Sequence, residues 1–102
     1  MNLDLQAILV ELQTLMSAPA SALPRLRELS EAMKQEIETT TRHSPTGVAS
    51  ALVNQAFEYL CEGLERGQNE PEVKRRFVVA IRRVEGLAMA SAQAHPDDPR
   101  LS

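Results

Sequence analysis

Two pairs of adjacent arginines, Arg75 with Arg76 and Arg82 with Arg83, stand seven positions apart in the stretch VKRRFVVAIRRVEG. Clustered guanidinium groups can grip phosphates, or lie over the carboxylates and rings of a partner protein. At about 100° per residue, Arg75 and Arg82 fall opposite the apolar stripe of their helix, while Arg76 and Arg83 fall on one flank. The four therefore do not converge. Val79 lies in the middle of the arginine side, with Gly86 and Ala90 further along it. A small apolar centre among arginines has the composition of a protein-binding surface, although the plainer reading is the wet side of a helix. The candidate interaction face is Arg75, Val79, Arg82, Arg83 and Gly86.

A nucleic-acid reader normally adds a basic surface excess and stacking aromatic rings. Here the net charge is −3, and Phe57, Tyr59 and Phe77 all fall on apolar stripes. A small nucleic-acid-associated regulator using Arg75, Arg82 and Arg83 is the second reading, and nucleic acid the less favoured partner.

Catalysis requires a nucleophile, an acid or a metal constellation, for which the chain offers Cys61, His43, His95 and the carboxylates Glu58, Glu62 and Glu65. Cys61 sits at the edge of an apolar stripe with no histidine nearby in sequence to activate it, as a small buried hydrophobe would. Neither histidine has the helical spacing to Glu or His that builds a metal site. The three glutamates, spaced four and three, share one side of a helix, but the Glu-x-x-His pairs of two-metal bundles are missing. No catalytic, metal or cofactor-binding residue is predicted, and no small-molecule substrate is evident. An antiparallel neighbour would bring Glu62 near Arg75 or Arg76, and Glu58 toward Arg82 or Arg83.

Those residues need helices to position them. In a chain of 102 residues, 43% apolar, 25% charged and with four glycines, one modest helical core is the expectation. Leu5, Ile8, Leu9, Leu12, Leu15 and Met16 share one side of a helix over residues 3–17, capped by Asn2 or Asp4 and ended by Pro19, with Val10 stranded opposite. A second helix over 23–41, with Ser21 as its cap, carries the narrow seam Leu26, Leu29, Met33 and Ile37. After a break in which Ser44 serves as cap, a third helix over 45–66 spreads its apolar residues over about half its circumference, which requires more than one neighbour. Gly67 suits the left-handed position past that helix. Asn69 and Glu72 then have the form of a capping box for a fourth helix over 70–93, with the stripe Val73, Phe77, Ala80, Ile81, Val84, Leu87 and Ala88.

Short connectors favour antiparallel neighbours, so the predicted fold is all-α, a small up-down-up-down four-helix bundle completed by dimerisation. It occupies residues 1–93 as a single domain, with a mobile tail over 94–102. A rival is a tandem of two helical hairpins offset by 47 positions, with Pro24 matching Pro71.

The N-terminal stretch lacks the basic residues of a signal peptide, no window is long and apolar enough for a membrane helix, and the lone Cys61 fits a reducing cytoplasm. The expected function is a non-enzymatic helical protein-protein interaction module: an adaptor, assembly factor, chaperone-like partner or regulatory subunit. Its expected partner is another protein, beside a second copy of itself in a homodimer.

Overall fold

A computed structural model describes residues 4–38 and 45–94. Four helices, α1 (Leu5–Ser17), α2 (Leu23–Glu38), α3 (Pro45–Glu65) and α4 (Glu70–Ala94), pack against one another, and no strand occurs among the described residues. The expected ends of the second helix at Thr41, the Ser44 cap, the tail from 95 and both histidines lie outside the described residues. No described helix is long and apolar enough to cross a membrane.

The helix ends follow from local chemistry. Asp4 caps α1, its Oδ1 accepting from the Ala7 N–H at 3.1 Å. Pro19 stops that helix and opens a 3-10 turn over Pro19–Ser21. Ser21 was the expected cap of α2, but it belongs to this turn, and its hydroxyl donates back to the Ala18 carbonyl at 3.2 Å. The Leu26 N–H reaches the Ala22 carbonyl at 2.9 Å, so the helical bonding of α2 already begins at Ala22. Across the corner Arg25 clamps Glu11 with two bonds, Nε at 2.5 Å and Nη2 at 3.0 Å. The guanidinium holds the Glu11 carboxyl below its ordinary range.

Between α3 and α4, Gly67 adopts φ +67°, the left-handed conformation that costs glycine least. Its N–H reaches the Leu64 carbonyl and the Gln68 N–H the Gly63 carbonyl, so the last carbonyls of α3 are satisfied in a Schellman motif. Asn69 then caps α4, its Oδ1 accepting from the Glu72 N–H at 3.0 Å.

The core gathers the predicted stripes. Phe57 and Phe77 lie at its centre with Leu12, Leu26, Leu60 and Leu87, all essentially inaccessible. Ile81, placed on the same stripe by periodicity, is only half-buried against it. The broad apolar arc of α3 is explained by its two neighbours, since it packs on both α2 and α4, while α1 packs on α4. Val10 is 64% exposed, as its place opposite the core stripe requires.

Candidate functional site

The arginine pairs of α4 have unlike surroundings. The Glu72 side chain does not complete the expected capping box: its carboxylate takes Arg75 Nη2 at 2.7 Å and Nε at 3.0 Å, and Arg76 Nε at 3.0 Å. These bonds, Arg75's first and Arg76's second, hold the Glu72 carboxyl down at about 2. Arg75 is exposed and also donates to the Tyr59 hydroxyl. Its guanidinium is held above the ordinary arginine range by Glu72 and then by Tyr59.

Arg76 departs most from the helical wheel, which sets it with Arg83 on one flank of the apolar stripe. It is only 8% exposed. Its Nη1 donates to the Tyr59 carbonyl at 2.7 Å, and its guanidinium carbon stands 3.9 Å from the centre of the Tyr59 ring. Room for it comes from α3, because a Cβ at Gly63 would lie 2.7 Å from Arg76 Cδ. Tyr59, expected on the core stripe, is instead half-buried with its ring against these arginines, at the edge of the α3–α4 contact. Arg76 is thus a structural clamp between the two helices.

Beyond the clamp, α3 and α4 leave a groove of about 210 Å³ lined by Leu52, Gln55, Ala56, Tyr59, Val79 and Arg83. Of the predicted face, the structure places Val79 and Arg83 in this groove and Arg75 at its Tyr59 end. Val79 was expected on the arginine side opposite the core, but it is half-buried and packs against the core, because α3 widens the buried arc of α4 on that side. The outward valine of this helix is Val78, 40% exposed. Arg82 is exposed, and Gly86 is exposed with nothing within 4 Å of where a Cβ would stand. The residues that α3 contributes to the groove were missed by sequence reasoning. Leu52, Gln55 and Tyr59 recur at spacings of three and four, the signal that could have found them.

The glutamate ridge of α3 does not meet α4. Glu58 pairs with Lys34 at 3.5 Å, Glu65 with Arg27, and Glu62 with Arg66 one turn along its own helix at 3.3 Å. The expected pairs with Arg75, Arg76, Arg82 and Arg83 are absent among the described residues, because the ridge flanks the α2 side of α3. There it rims a second groove of about 390 Å³, whose lining includes Arg27, Ser30, Lys34 and Cys61. Cys61 is buried, and burial, followed by the Glu65 charge, pushes its thiol up, away from the reactive thiolate. Ser30 is bonded to Asn54 Oδ1 at 3.2 Å. Among the described residues no group of three or more His, Cys, Asp or Glu side chains could hold a metal ion.

Compared with known proteins, the chain matches no family model, no curated protein and no solved structure.

Proposed function

We propose that this chain is a non-enzymatic helical interaction module of the cytoplasm, an adaptor, assembly factor, chaperone-like or regulatory subunit, and that it binds another protein through the groove between α3 and α4. One observation carries this reading: a groove between α3 and α4, lined by Leu52, Ala56 and Val79, opens beside Arg83. Tyrosine and arginine around a small apolar pocket are the residue types that dominate binding energy at protein interfaces. A polyanion site gains less support, since Glu72 offsets Arg75 and Arg76 is buried. The cytoplasmic assignment is supported by Cys61, a free thiol.

The finer architecture we infer is the up-down-up-down bundle, with dimerisation through α1 and α4. The α3–α4 turn supports the first part, as do the cross-helix pairs Arg27–Glu65 and Lys34–Glu58, which run in opposite directions along α2 and α3. Val10 on α1 and Met89 on α4, 64% and 63% exposed, support the second. Light scattering tests the dimer, because a concentration-independent mass near 11.3 kDa refutes it.

The groove is tested by affinity capture from the protein's own cell lysate with wild type, Val79→Glu and Gly86→Leu. Loss of one specific partner by both variants is the expected result. Retention of every captured protein by both removes the groove from the proposal. Gly86→Leu guards against misfolding, since leucine raises helix propensity and fills open space.

A further inference from the structure

We infer that the occupant of the α3–α4 groove is an acidic amphipathic helix of another protein, its apolar edge on Leu52, Ala56 and Val79 and its carboxylates against Arg82 and Arg83. This deepens, and rests on, the reading of the groove as a protein-binding face.

Charge gives the first argument. Every other described arginine and lysine, from Arg25 to Arg76, meets a carboxylate within the chain. Among the described residues Arg82 and Arg83 are the basic side chains without one. The sequence does not lack acid to supply partners, since Asp and Glu outnumber Lys and Arg by 14 to 11. The two unpaired cations are neighbours, and one of them lines the groove. A partner that brings carboxylates there gains charge-assisted bonds without breaking an existing ion pair.

Geometry gives the second. A furrow between two packed helices runs along both of them, and the element that fills such a furrow lengthwise is a third helix. Val79 and Gly86, seven residues apart, fall on nearly one line along α4, with Arg82 and Arg83 on either side of it. The matching helix therefore carries an apolar stripe with an acid on each flank. Gly86 has no side chain to hold such a helix away, and nothing stands within 4 Å of its missing Cβ.

The same register argues against a second copy of this chain in the groove. A two-fold axis crossing at Val79 makes each contact reciprocal, so the residue four after Val79 in one copy faces the residue four before it in the other. Those residues are Arg83 and Arg75, and like charges would be forced together.

The test is a selection from a display library of randomised amphipathic helical peptides against the intact protein. The winning sequences are then measured by fluorescence anisotropy. Winners should carry Asp or Glu on both flanks of an apolar anchor, and should lose about tenfold or more in affinity on Gly86→Leu and on the double reversal Arg82→Glu/Arg83→Glu. Exchanging the peptide's acids for lysine should restore binding to the reversed protein. Winners without acidic enrichment that are still lost on Val79→Glu overturn the acidic partner and leave the groove standing. Winners indifferent to both Val79→Glu and Gly86→Leu, or an empty selection, overturn the groove as well. Binding of a mixed-sequence RNA or DNA that survives Gly86→Leu but vanishes on the double reversal assigns Arg82 and Arg83 to a polyanion and sinks the proposal.

Discussion

Arg76 fills the notch left by Gly63: were the glycine an alanine, its Cβ would lie 2.7 Å from Arg76 Cδ and 3.0 Å from both Nε and Nη1. Two residues thirteen positions apart thus act as one packing unit, with the guanidinium fixed beyond them on the Tyr59 carbonyl and on Glu72.

Gly63→Ala sets two effects in opposition. Alanine in place of helical glycine favours α3 by about 1 kcal/mol. Displacing Arg76 loses a charged hydrogen bond worth about 1.5 to 3 kcal/mol and leaves the Tyr59 carbonyl without that donor. The substitution should therefore destabilise the protein by about 1 kcal/mol. In an Arg76→Ala background its sign should invert, which urea unfolding of the four proteins in the cycle will show.

Glu72 gives a pH dependence of known sign. Its carboxyl is lowered from 4.5 to about 2 in the folded chain, so its contribution is fully present above about 4.5 and is lost as the pH falls toward 2. Glu72→Gln should lower the urea midpoint by a constant amount at neutral pH, and the gap from wild type should close between those two values. Glu11 titrates with the same sign, but it is present in both proteins and cancels in the comparison.

Ser50 is inaccessible, and among the described residues its hydroxyl has no hydrogen-bond partner. Removing an unsatisfied buried hydroxyl while raising helix propensity should stabilise the fold, so Ser50→Ala is expected to gain about 1 kcal/mol in thermal or urea unfolding.

Cys61 should react slowly with a thiol reagent at pH 8 in the native protein, because it is buried and its thiol is held protonated. Small additions of urea, well below the unfolding midpoint, should speed the reaction by opening the α2–α3 contact. Labelling as fast in buffer as in full denaturant would contradict that burial.

The helices were legible where a single residue decides an end: Pro19 cannot follow a helical residue comfortably, and Gly67 takes the left-handed position. The stripes of α1, α3 and α4 were legible because burial repeats with the helical period. Periodicity gives a direction about one axis, however, and does not say which neighbour lies there. The ridge of Glu58, Glu62 and Glu65 was therefore read toward α4 when it flanks α2. Arg76 was read as solvated for a related reason: its burial depends on an absent side chain at Gly63, which no pattern along α4 reports. The groove itself was half visible. Val79 and Arg83 stand out from the sequence by their place on α4, whereas Leu52 and Tyr59 fall within the broad apolar arc of α3 and so look like core.

The turn between Glu65 and Glu70 has a kinetic corollary. It joins the two helices that pack most extensively, so the largest tertiary contact is also among the nearest along the chain. Closing so short a loop costs little entropy, which makes this helix pair the natural nucleus. α1 must instead wait for α4, more than fifty residues away in the chain, and should be the last helix to dock and the first to detach.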